Sequence, residues 1–201
     1  MDNTKCIAAL FDFDGVVMDT ETQYSLFWNK IGKQYFPQIE EFGRIIKGQT
    51  LVNIYAKYFA GMEKEQQDIT ARLNQFEKDL RAHGVKMAIV TSSNDLKMAN
   101  VYKAHPELKE LVDRILTAEM FTRSKPAPDC FLLGAEVFGT VPQNCVVFED
   151  SFHGLEAGNA AGMAVVGLCT TNPKEAIADK CKLVMPDFTA FSFEKMKALL
   201  A

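Results

Sequence analysis

The sequence predicts an α/β protein, a parallel sheet with helical crossovers that carries a helical insertion near its N-terminus. Three observations lead there. From His83-Gly84 onward, short apolar runs alternate with stretches of helical periodicity, the pattern of strand–helix–strand units. Ahead of that region, amphipathic helical stripes follow one another with no strand between them. Finally, predicted strands stop at polar clusters: Asp12/Asp14, Thr91 to Asn94, and Glu149/Asp150. In a parallel sheet the carboxyl ends lie on one side, so these clusters converge on one crevice.

The elements read in order as follows. Cys6 to Phe11 is an apolar run of strand length, and it ends at Asp12-Phe13-Asp14-Gly15. Tyr24, Phe27, Trp28, Ile31 and Tyr35 recur at helical spacing, with Thr20 as a candidate N-cap and Pro37 as the stop. Leu51, Ile54, Tyr55, Tyr58 and Phe59 repeat the pattern between Thr50 and Gly61, and Ile69, Leu73, Phe76 and Leu80 trace a third face. These stripes are read as core packing of a small helical subdomain. Val85 to Val90 is a strand, and a helix runs from Asp95 towards Pro106. Ile115-Leu116 is a short strand, and Pro128 opens a helix that ends near Gly139. Cys145 to Phe148 is a buried strand, Gly154 to Gly158 begins a small-residue helix, and Met163 to Leu168 is a strand again. Leu183 to Met185 and Phe193 to Leu200 give the last strand and closing helix. Strands alternating with helices imply right-handed crossovers. The helical block becomes an insertion at the sheet edge.

Composition narrows the function classes. Apolar residues make up 48% and charged residues 24%, ordinary for a globular chain. A net charge of −4 gives no electrostatic case for nucleic acid or an anionic membrane surface. Cys6, Cys130, Cys145, Cys169 and Cys181 are odd in number and lack C-x-x-C spacing. They read as reduced core residues, without a disulfide frame or zinc site. With no signal-like stretch and no apolar run of membrane-spanning length, a cytoplasmic monomer is the expectation.

The opening acids are the chemical centre. Charge is costly inside a sheet, so Asp12 and Asp14 belong at the carboxyl end of their strand, with Gly15 allowing a tight departure. Two like charges this close invite a shared proton or a bound cation. Read alone, the stretch is equally a solvated Asp-Gly turn. Lys125 alone reads as a surface lysine, Thr91 as a turn hydroxyl, and Glu149-Asp150 as a capping loop. Together they make one set: acids for a cation, hydroxyls and amides for phosphate oxygens, and a lysine for anionic charge.

On these residues the sequence resembles the haloacid dehalogenase superfamily. Asp12-Phe13-Asp14-Gly15-Val16-Val17-Met18-Asp19-Thr20 is similar to its first motif and Val90-Thr91-Ser92 to its second. Lys125-Pro126-Ala127-Pro128-Asp129 is similar to the third, and Phe148-Glu149-Asp150-Ser151 to the fourth. Gly154, Ala157-Gly158 and Ala161-Gly162-Met163 match the small residues that follow. The resemblance implies a doubly wound, Rossmann-like parallel sheet with an inserted small α-helical cap. The core would comprise residues 1–17 and 84–201, the cap residues 18–83. It implies Asp12 as nucleophile, Asp14 as acid and base, and Thr91, Ser92 and Lys125 as phosphate-binding residues. Mg²⁺ would lie at Asp12, the Asp14 main-chain carbonyl and Asp150, with Glu149 assisting. The cap candidates for substrate are Thr20, Tyr24, Lys47 and Gln49.

The resemblance is to the phosphatase and β-phosphoglucomutase-like subgroup. Thr20 and Lys47-Gly48 suit the mutases. However, Tyr24 stands where these usually place a histidine, and Leu51 where they place a phosphate-gripping arginine. A mutase must hold a bisphosphate by its second phosphate, which calls for a cationic grip; a phosphatase need not. The expected function is therefore Mg²⁺-dependent hydrolysis of a small phosphorylated metabolite, a sugar phosphate above others. A phosphosugar mutase and a phosphate-binding module without turnover are the alternatives. One departure stands out: Gln75 to His83 is all that separates the third cap helix from the strand at Val85. Either one helix runs from cap to core, leaving a single hinge near Val16 to Thr20, or a segment is lacking. The second is favoured, because a rigid second connection hinders lid opening.

Overall fold

The computed structural model describes residues 6–17, 22–46, 51–73, 75–106, 108–188 and 191–200, without the side chains of 22–26, 51, 52 and 70–73. The chain divides into two compact units, Met1–Met18 with Glu77–Ala201, and Asp19–Phe76. In chain order the elements are β1 (Ala8–Phe11), α1 (Thr22–Tyr35), α2 (Phe42–Ile45), α3 (Leu51–Tyr58), α4 (Glu63–Leu73), α5 (Gln75–Ala82) and β2 (Lys86–Val90). There follow α6 (Asp95–Ala104), α7 (Leu108–Leu111), β3 (Arg114–Leu116), α8 (Asp129–Val137), β4 (Cys145–Glu149) and α9 (Phe152–Ala160). The chain closes with β5 (Ala164–Leu168), α10 (Lys174–Ile177), β6 (Leu183–Met185) and α11 (Phe193–Ala198).

All six strands form one parallel sheet in the order β3-β2-β1-β4-β5-β6. The expected α/β sheet is therefore present, and it is doubly wound. Chain order runs outward from β1 in both directions, so the reversal of strand order falls between β1 and β4, where ligands of such sheets bind. Successive strand residues serve opposite faces. Leu10, Val90 and Val147 pack with Cys130, Phe131 and Ala135 of α8 and Leu155 and Ala157 of α9. On the other face Ile89 packs with Phe13, Met98 of α6 and Leu108 of α7. Phe11 stacks on Phe148 at 4.7 Å, and Phe148 meets the Phe188 and Phe191 rings. Helix starts are fixed by side chains: Asn94 and Ser151 accept from the amides of Lys97 and Gly154.

The helical unit has its own core. Trp28, Ile31, Phe42, Ile46, Ile54, Phe59 and Ile69 are buried together, with the Phe42 and Phe59 rings each 6.1 Å from that of Trp28. The stripe from Ile69 to Leu80 is helical on both sides of residue 74, which lies outside the described residues, and its two ends are buried in different places. Ile69 joins the Trp28 cluster, whereas Leu80 is buried just before the chain turns into β2 and accepts from the Val85 amide. Trp28 is the only tryptophan, so denaturation followed by its fluorescence reports on this core. Ile54→Ala there removes a fully buried side chain and is expected to lower stability by about 2–5 kcal/mol. An unchanged midpoint in the fluorescence transition would rule out a packed helical core.

Candidate active site

The register of the sheet assembles the site. Phe11 of β1 is level with Ile89 of β2 and Phe148 of β4, so Asp12 follows one residue later beside the ends of both neighbours. The Asp12 amide continues the ladder by donating to the Phe148 carbonyl at 2.9 Å, and the Thr91 amide does the same to Leu116 at 2.9 Å. The chain then leaves β1 in a tight turn in which Gly15 takes φ +89°. A side chain there would be strained and would collide with the Asp150 carboxylate. Gly154 has a similar role in the first turn of α9, where a Cβ would collide with the Glu149 carboxylate.

Asp12, Glu149 and Asp150 are buried, with carboxylate oxygens within 4.8 Å of one another. Lys125 joins them from the loop before α8. Its ammonium donates to Asp12 Oδ1, to Glu149 Oε1 at 2.6 Å and to the Val90 carbonyl at 3.2 Å. It also lies 5.0 Å above the Phe131 ring. The Lys125 loop is tied to the start of α8 by Arg123, whose Nη2 is 2.7 Å from Asp129 Oδ1. This pair holds the Asp129 carboxyl below its usual range.

Glu149 is fully committed. Its Oε2 accepts from the Asp150 amide, the Ser151 amide and the Ser151 hydroxyl, each at 3.0 Å, while Oε1 holds Lys125. These contacts tie Glu149 to Lys125 and to the chain that leads into α9. Asp150 Oδ2 accepts from Thr171 and, at 3.2 Å, from Thr170; Asn172 donates to the Asp150 carbonyl at 2.9 Å. Oδ2 of Asp12 and Oδ1 of Asp150 have no protein donor among the described residues. These two oxygens suit a cation.

The electrostatics agree. Burial pushes the Asp12 carboxyl up to about 7, Lys125 pulls it back, and the neighbouring Glu149 and Asp150 add to the rise. Burial also raises Asp150, against the Thr171 hydrogen bond and with Glu149 reinforcing it. Burial opposes the charge on Lys125, but Asp12 and Glu149 outweigh it and hold the ammonium above the ordinary lysine range. Three buried acids against one lysine leave the cluster short of positive charge.

Asp14 lies apart from this group. Its side chain is 60% exposed, and its Oδ2 accepts from Ser93 Oγ at 3.1 Å and Lys97 Nζ at 2.8 Å. Because β1 stops at Phe11, the two acids follow the strand on the turn that leaves it, and their side chains are not held to one face of the sheet. Thr91 is buried, and its Oγ1 accepts from the Ser93 amide at 3.0 Å. That leaves the hydroxyl proton for a ligand. Ser92, exposed, lines a pocket with Asp14, Ser93, Asn94 and Lys97.

Of the expected site residues, the structure brings together Asp12, Lys125, Glu149 and Asp150, and places Asp14 beside Ser93 and Lys97. Thr20, Lys47 and Gln49 fall outside the described residues, as does the side chain of Tyr24. Sequence reasoning placed Ser93 in the polar cluster after β2 without giving it a role, and missed Lys97, Thr170, Thr171 and Asn172. The last three had a usable signal, since β5 also ends in a polar run, at the same side of the sheet.

The sequence pattern that defines haloacid dehalogenase-like hydrolases matches residues 8–162. The chain belongs to that family. Hexitol phosphatase A of Escherichia coli is 29% identical, over 96% of this hydrolase and 94% of the relative. That alignment runs to 214 positions against 201 residues here, so the relative carries residues within the matched span that this chain lacks. Fructose-1-phosphate phosphatase YqaB of E. coli is 27% identical over 78% of this chain and 93% of its own. A crystal structure of a putative beta-phosphoglucomutase from Thermotoga maritima shares the fold, with TM-score 0.60 and 23% identity over 96% and 99% of the two chains. Family membership and phosphatase relatives make the protein a phosphoric monoester hydrolase. Among the described residues no helix is long and apolar enough to cross a membrane.

Proposed function

We propose that the hydrolase is a Mg²⁺-dependent phosphatase acting on a small sugar phosphate through an aspartyl-phosphate on Asp12. The observation that carries this reading is the state of Asp12. It is a buried carboxylate with one oxygen gripped by Lys125 and the other uncommitted, at the strand ends where Thr91 offers a hydroxyl. The names of the two E. coli relatives favour the sugar-phosphate class.

In this reading Asp12 attacks phosphorus in line, and the departing alcohol oxygen takes a proton from Asp14. Asp14, now a carboxylate, removes a proton from water. The water oxygen attacks the same phosphorus, inorganic phosphate leaves and Asp12 is regenerated. Thr91, Ser92 and the turn amides hold the phosphoryl oxygens, and Lys125 offsets the charge of nucleophile and phosphate together. Such transfer rests mainly on positioning and electrostatics. Asp12, Asp150 and the Asp14 carbonyl are the residues to hold Mg²⁺, with Glu149 fixing the Asp150 and Ser151 amides. When bound, the ion supplies positive charge for the phosphoryl oxygens. The insertion at residues 18–83 is read as the substrate-selecting cap, with Thr20, Tyr24, Lys47 and Gln49 as its candidates. The enzyme is read as a cytoplasmic monomer whose partner is a small metabolite.

A panel of sugar phosphates, nucleotides and simple phosphate esters with Mg²⁺ tests the proposal. Phosphate release from sugar phosphates supports it. Isomerisation of glucose 1-phosphate would instead make the protein a mutase, and binding without turnover a phosphate-binding module.

A pH prediction follows from Asp12. Its folded-state pKa is raised, so its contribution to stability is fully present below the unfolded value near 4 and is lost as pH rises through about 7. Cation binding must displace that proton. The rise in melting temperature on adding Mg²⁺ is therefore expected to be small at about pH 5.5 and larger at about pH 8. A shift independent of pH would remove Asp12 from the cation site.

A further inference from the structure

The pocket beside the buried acids is lined by Asp14, Ser92, Ser93, Asn94 and Lys97. Within it, Oδ2 of Asp14 accepts from both Ser93 and Lys97, while no described residue donates to Oδ1. The two donors are anchored differently from the carboxylate they hold. Ser93 is buried, its amide donates to Thr91, and its carbonyl accepts from the Ala118 amide at 3.1 Å. Lys97 stands in the first turn of α6, where its amide donates to Asn94 Oδ1 at 2.8 Å. The same turn is braced by Thr117 donating to Asp95 Oδ1 at 2.6 Å and by the Asp95 amide donating to Glu119. Asp14, by contrast, projects largely exposed from a turn that pivots at Gly15.

An exposed carboxylate on a turn samples several rotamers, and a proton donor is useful only when one oxygen faces the leaving group. Two donors on Oδ2, one of them charged, select a single orientation and leave Oδ1 to carry the proton. An exposed ion pair of this kind contributes little to folding stability. Its consequence lies in the reaction.

We infer that Lys97 is a positioning residue, which together with Ser93 holds the Asp14 carboxylate by one oxygen so that the other meets the leaving group. This rests on the reading of Asp14 as acid and base.

The test is a leaving-group series, p-nitrophenyl phosphate, phenyl phosphate and glycerol phosphate, assayed with Mg²⁺ for wild type, Lys97→Met, Lys97→Arg and Asp14→Asn. The readout is kcat/KM, which covers only the steps through transfer to Asp12. An acid matters little for nitrophenolate and much for an alkoxide. Lys97→Met is expected to lose about tenfold on glycerol phosphate and far less on p-nitrophenyl phosphate, a fraction of the general-acid effect. Lys97→Arg, which can still donate, restores the wild-type trend. Melting temperatures stay level across the Lys97 variants. A uniform loss across the series would report a charge effect on substrate binding and overturn the positioning role. An unchanged trend in Lys97→Met alongside a steepened one in Asp14→Asn overturns the inference alone. If Asp14→Asn does not steepen the trend, the acid/base reading fails with it.

Discussion

Asp12→Asn abolishes phosphate release, with an expected loss on the order of 10⁵-fold or more. The substitution preserves shape and keeps the side-chain oxygen that accepts from Lys125, but an amide is a poor nucleophile towards phosphorus. It also removes one of three buried acids, so the folded state is relieved of crowded negative charge and should not be less stable. Activity and stability therefore separate, as they do for a residue that carries the reaction. The measurement is phosphate release from the best substrate of the panel, beside a thermal melt of the same preparation. Turnover within tenfold of wild type would take Asp12 out of the mechanism.

Lys125→Met is expected to fail on both counts. The Lys125 side chain is 6% exposed, and its ammonium serves Asp12, Glu149 and the Val90 carbonyl at once. Methionine matches much of its length but leaves two buried carboxylates facing each other, a situation that costs about 3–5 kcal/mol. Asp12, already raised to about 7, would take up a proton near neutral pH, and a protonated acid does not attack phosphorus. A chemical-denaturation midpoint and a pH–rate profile measure the two effects. Loss of activity with unchanged stability would contradict the buried network described for Lys125.

The ends of β1, β2 and β4 were legible because each is an apolar run cut off by acids or hydroxyls, and parallel topology then brings such ends together. Helices α2, α7 and α10 were not legible. Each is about one turn, too short for a periodicity to register. The stripe through Ile69 and Leu80 showed its helical phase, but the burial of its two ends in different places is a tertiary property. Glu149 was readable as an acid but its partners were not, since Lys125 and the Asp150 and Ser151 amides converge on it only after folding. Lys97 lies a turn beyond the motif around Thr91, and nothing in its neighbours marks it; Asp14 reaches it only across the gap between β1 and α6.

The central position of β1 has a consequence for the order of assembly. Within the sheet this strand leaves the ribosome before the other five, yet its partners Lys86–Ile89 and Cys145–Phe148 come much later in the chain. Its apolar residues must wait unpaired, and neither neighbour is a local hairpin. Such long-range parallel pairing is slow and exposes sticky surface meanwhile. Asp12 and Glu149 meet only when β4 docks, so enzymatic activity on refolding should return with the slowest structural phase.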